Sequence, residues 1–98
     1  MSPTIAAIHR AVEHQEKCRA IHVESRVVKV QFDGEDYERS VETFTLHEHP
    51  KAKRAYAWQQ WGTGARTDPK YTIILGTTGI NSADDALRTA IKALYKAL

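Results

Sequence analysis

The sequence predicts a single α+β domain: a four-stranded antiparallel sheet of two hairpins, with an N-terminal and a C-terminal helix packed on one face. Three observations carry this. The chain ends in a strongly amphipathic stretch, "SADDALRTAIKALYKAL" (82–98). Residues 22–32, 37–47, 55–61 and 70–77 are rich in Val, Ile, Thr, Phe, Tyr and Trp, the residues that suit a pleated, half-buried surface. Turn or loop residues including Gly or Pro separate each of these stretches from the next. The order is helix, four strands, helix, and two helices on one face of a meander is the simplest packing.

The first helix is expected over Thr4–Arg19. Ser2 can cap it, and Pro3 suits a first helical position, where a missing N–H loses nothing. Ile5, Ile8 and Val12 form a narrow apolar stripe. Glu13 and Lys17 have the spacing of a favourable pair one helical turn apart.

The first hairpin joins "HVESRVVKVQF" to "YERSVETFTLH" through "DGED". With a four-residue loop, Phe32 faces Tyr37, Val28 faces Val41, and Val23 faces Leu46. Near the turn the apolar residues of the first strand are even-numbered; far from it they are odd-numbered. Alternate residues of a strand point to opposite faces. The hairpin therefore carries a bulge or strong twist, or it meets apolar neighbours on different faces at its two ends. The bulge is the simpler expectation. The other arrangement would carry the hairpin tip beyond the main core, toward another subunit.

Pro50 ends the strand pattern within "HEHPKAKR" (47–54). In "AYAWQQW" (55–61), Tyr56 and Trp58 share one face, and Ala57 and Trp61 the other. After the loop "GTGARTDP", "KYTIILGT" reads as the most buried strand, with Tyr71, Ile73 and Leu75 opposite Ile74. In the last helix Ser82 and Asp85 form a variant capping box. Leu87, Ile91, Leu94 and Leu98 make its apolar stripe, widened by Ala83 and Ala90. Asp84 and Asp85 meet the positive end of the helix dipole, Lys92 and Lys96 the negative end.

The chain has 98 residues, 27% charged, with 14 bases against 12 acids and a net charge of +2. This balance does not require a polyanionic partner. One cysteine, Cys18, excludes an intrachain disulfide. With no apolar run long enough to cross a bilayer and no secretory pattern at the start, a cytoplasmic protein with no membrane partner is expected.

The candidate functional stretch is "KAKRAYAWQQW" (51–61), where three cations run into three aromatics. Cations that track a backbone and aromatic faces that stack bases would bind single-stranded nucleic acid or RNA. Equally, Tyr56 and Trp58 alternating with alanine describe a core strand packed on the last helix, and the cations its solvated lead-in. The core interpretation is favoured, which leaves Trp61, beside Gly62, Gly64 and Arg66, as the residue to watch. The helix–strands–helix order resembles the double-stranded-RNA-binding domain in outline. That family usually starts its last helix with lysines aimed at phosphates; this chain has Asp84 and Asp85 there, and an additional strand.

Catalytic and metal patterns are weak. His47 and His49, as H-x-H, would share a strand face, but no third ligand is near in sequence. Cys18 and His22 have helical spacing, with the helix expected to end between them. Glu35, Asp36, Glu38, Glu42 and Glu48 fall on expected exposed strand positions without an acid–base pattern. "GTTGINS" lacks the lysine of a phosphate loop.

The sequence therefore points to a small cytoplasmic accessory or regulatory module, not an enzyme, with no cofactor and no metal. Its partner is expected to be a protein, or a second copy through the first hairpin. The expected contacts are Lys51, Lys53, Arg54, Trp61, Arg66 and Lys70, on the second hairpin and its glycine-containing loop. The alternative is an RNA- or single-stranded-DNA-binding domain using residues 51–71.

Overall fold

The computed structural model describes residues 3–59, 71–77 and 79–97. Its elements are α1 (Pro3–Glu16), β1 (Ala20–Phe32), β2 (Glu35–Leu46), β3 (Arg54–Gln59), β4 (Tyr71–Leu75) and α2 (Ala83–Ala97). The strands form one antiparallel sheet in the order β1-β2-β3-β4. The α+β class and element order are those expected from the sequence. The Ser2 cap, the loop 62–69 and Leu98 lie outside the described residues, as do the side chains of Leu94 and Lys96.

The placement of the helices differs from the expectation: they lie on opposite faces of the sheet. Tyr56 and Trp58 of β3 pack with Ala83, Ala86, Leu87 and Ile91 of α2, together with Val28, Val30 and Val41. The alternate residues Ala55 and Ala57 pack with Ile8 and Val12 of α1, together with Ala20, Phe44 and Leu46. Neighbouring residues of a strand point to opposite faces, so these are two separate cores. Size complementarity shapes both. Bulky Tyr56 and Trp58 meet buried alanines of α2. Small Ala55 and Ala57 leave room for Ile8, Val12 and Phe44.

This arrangement accounts for the parity change in β2, whereas in β1 the odd-numbered Ile21 and Val23 near the base stay exposed rather than entering a core. A bulge lies between His22 and Glu24, with Val23 the extra residue of β1. β2 has no irregularity, yet Val41 enters the α2 core while Phe44 and Leu46 enter the α1 core. The hairpin thus meets α2 near its turn and α1 near its base.

The turn is two residues long, not four. Asp33 and Gly34 both have positive φ, 53° and 80°, which suits the tight hairpin turn that matches strand twist. Phe32 therefore pairs with Glu35 and Val30 with Tyr37. A shift of two residues keeps every side chain on its face.

Three local expectations need correction. α1 ends at Glu16, where Lys17 takes a left-handed φ of 54° and closes the helix without a glycine. Glu13 therefore does not pair with Lys17; it accepts from the Ala20 N–H at 2.9 Å and lies 3.6 Å from His9. The most buried strand is β3, with Ala55–Trp58 all buried, whereas β4 is a half-buried edge. α2 begins as its sequence indicates: Ser82 Oγ accepts from the Asp85 N–H (3.2 Å), and Asp85 Oδ2 accepts from the Asn81 N–H (3.1 Å).

Candidate interaction surfaces and the buried carboxylate

Of the six residues expected to contact a partner, Lys51, Lys53 and Arg54 are described, and all three are exposed. Trp61, Arg66 and Lys70 lie outside the described residues. Tyr56 and Trp58 are only 2% and 4% exposed and face α2, so the aromatics of the described part of this segment are core.

A histidine positions the cationic lead-in. His49 Nδ1 accepts from the backbone N–H groups of Lys51 and Ala52, each at 3.1 Å. The ring proton therefore sits on Nε2, which donates to Glu16 at 3.0 Å. This clamp ties residues 49–52 to the C-terminal end of α1. Both ring nitrogens are occupied, and His47 is exposed beside Glu48. The two histidines lie beyond the end of β2 rather than on one strand face, as the sequence had suggested. Among the described residues, no three His, Cys, Asp or Glu side chains come together in a way that would hold a metal ion.

Glu42, expected at an exposed strand position, is buried, with 4% exposure. It points to the α1 face, where its strand partner Ala57 belongs to that core. Glu42 Oε1 accepts from His22 Nε2 at 2.9 Å and from the Ser25 hydroxyl, and Oε2 from Ser40 at 3.3 Å. His9 and His22 both lie against the Phe44 ring, at centroid distances of 5.5 and 5.3 Å. Serine, histidine and glutamate here do not form a relay. A relay uses one imidazole nitrogen for the serine and the other for the acid. In this cluster His22 Nε2 and the Ser25 hydroxyl converge on the same carboxylate oxygen. Local sequence could not reveal the cluster, because His22 and Ser25 are 20 and 17 residues from Glu42.

Cys18 is half-buried just past α1. Burial, then the charges of Glu16 and Glu13, hold its thiol above the ordinary range and disfavour the reactive thiolate.

The largest apolar exposure lies on β1. Ile21, Val23 and Val27 are 57%, 55% and 60% exposed, and they are the exposed large hydrophobic residues of the described chain. β1 is 13 residues long and, among the described residues, pairs on one side only, with β2. An edge strand presents unpaired backbone N–H and C=O groups, a template for another strand.

Comparison with protein-family models, with curated proteins and with solved structures gave no match. No helix among the described residues is long and apolar enough to cross a membrane.

Proposed function

We propose that this protein is a small non-enzymatic binding module, of the accessory or regulatory kind, that takes up a protein partner along the open edge of β1. One observation carries this: Ile21, Val23 and Val27 are all exposed on a single strand whose outer edge is unpaired among the described residues. Strand addition uses backbone hydrogen bonds for affinity and alternate side chains for selectivity. Within the described residues, the second hairpin offers charge rather than apolar area.

The nucleic-acid alternative has its own support, because Lys51, Lys53 and Arg54 are exposed together. Arg19 lies close by, its carbonyl accepting from the His47 N–H at 2.9 Å. Glu16 and Glu48 in the same region dilute that positive charge.

The test is affinity capture with the immobilised full chain, comparing wild type, an I21K/V27K variant and a K51E/K53E variant. A protein retained by wild type and lost with I21K/V27K is the expected result. Retention that ignores the edge substitutions, or nucleic acid retained only while Lys51 and Lys53 are present, would contradict the proposal.

A further inference from the structure

We propose that the strand completing β1 is β1 of a second copy, paired antiparallel about Ser25, so that two four-stranded sheets join into one. This rests on the edge-docking reading above and names its partner.

Register selects this pairing. Two identical strands related by a two-fold axis normal to the sheet place residues of one face opposite residues of the same face. Few centres are then available on β1, and its charges discriminate among them. Centred on Glu24, Arg26 or Lys29, the pairing sets like charges directly opposite each other, which is unfavourable. Centred on Val27 or Val28, Arg26 meets a valine and no opposite charges pair. Centres nearer either end leave much of the strand unpaired.

Centred on Ser25, the pattern is self-complementary. Glu24 faces Arg26 of the second copy, and symmetry repeats the pair. Val23 faces Val27 of the second copy, also twice. Glu24 and Arg26 can meet because both lie on the α2 face. Their β2 partners are Thr43, which pairs onward with Tyr56, and Val41, and both Tyr56 and Val41 belong to the α2 core. Neither Glu24 nor Arg26 enters an ion pair among the described residues, and both are exposed. The edge thus carries one acid and one base, two residues apart, that form no ion pair among the described residues. The same register covers two of the three exposed apolar residues. Exposed ion pairs contribute little affinity. Here they select the register, while the valines and the backbone ladder supply the attraction.

Sedimentation velocity on the full chain, from micromolar to hundreds of micromolar, tests this. The expected species at the upper end has twice the 11.1 kDa chain mass. The substitutions E24R and R26E, each alone, turn both opposite-charge pairs into like-charge pairs and should weaken the dimer at least ~10-fold. Mixing the two variants should restore it, because each cross-strand pair in the mixed dimer again joins opposite charges. Circular dichroism checks that both variants fold. A dimer indifferent to either substitution, or a mixture no tighter than its components, would overturn the register and with it the proposal. Wild type sedimenting as a single chain at every concentration would overturn the second-copy assignment. If capture of a different protein by that monomer still depends on Ile21 and Val27, the edge-docking reading survives; if it does not, both fall.

Discussion

Replacing Trp58 by alanine is expected to remove most of the stability of this fold. The side chain is 4% exposed and lies in the core between β3 and α2, beside Ala83, Ala86 and Leu87. Truncating a buried Trp to Ala typically costs about 3–5 kcal/mol, through lost transfer energy and the cavity left behind. Domains of this size are stable by only about 5–15 kcal/mol in total. Urea denaturation should show a large fall in the midpoint, or an unfolded chain at 25 °C if the starting stability is low. Trp58→Phe keeps an aromatic ring in the site and should fold with a smaller loss. A Trp58→Ala protein with unchanged stability would mean that the second hairpin presents its aromatics outward, as a base-stacking surface requires. The result therefore also decides how "KAKRAYAWQQW" is used.

The second large effect is expected at Glu42. Its carboxylate is almost fully buried and accepts hydrogen bonds from His22, Ser25 and Ser40. Hydrogen bonds to a charged group contribute about 1.5–3 kcal/mol, and removing their common acceptor leaves a half-buried imidazole short of a partner. Glu42→Ala should lower stability by about 2–3 kcal/mol in the same urea experiment. Glu42→Gln keeps the shape and part of the bonding, so its loss should be smaller. A double-mutant cycle with His22→Ala should show strong coupling, because both substitutions remove the same bond. Additive losses would mean that His22 and Glu42 act separately. The cluster lies on the α1 face at Ser25, the centre of the β1 edge. Loosening it should therefore also disturb the geometry of the proposed pairing.

Much of the fold was legible in the sequence, because local rules decided it. The cap of α2 lay in Ser82 and Asp85, and the place of the first hairpin's connection in "DGED". Alternation also placed Tyr56 and Trp58 correctly on α2. The side of the sheet that α1 covers was misjudged, although "AYAW" held the clue. Apolar residues at both parities mean a strand covered on both faces, and small Ala55 and Ala57 are what a second helix needs for close approach. The tight turn was also missed, although Asp-Gly favours positive φ at both central positions. Glu42 was illegible for a different reason. Its burial depends on side chains far away in sequence, and no window around "SVETF" contains them.

The open edge was half legible. The first strand of a meander ends up unpaired on one side, so β1 as an edge follows from element order. The exposure of Val23 does not, since it requires the bulge, and the register set by the two-residue turn, continued without one, sets Val23 against Phe44. Gly76 shows the same dependence on tertiary structure. A Cβ there would lie 3.2 Å from the Arg54 carbonyl and 3.3 Å from the Tyr56 ring, so any other residue would require these neighbours to give by a few tenths of an ångström.

The most direct measurement is amide hydrogen exchange of the full chain, followed by mass spectrometry at dilute and at concentrated protein. Backbone groups on the outer side of β1 have no strand partner among the described residues and gain one when a second β1 adds to the edge. Exchange in the 20–32 segment should slow as concentration rises, while Ala55, Tyr56 and Ala57, already paired on both sides by β2 and β4, should not change. Exchange in the 20–32 segment that is the same at every concentration would contradict a β1 edge closed by a second copy.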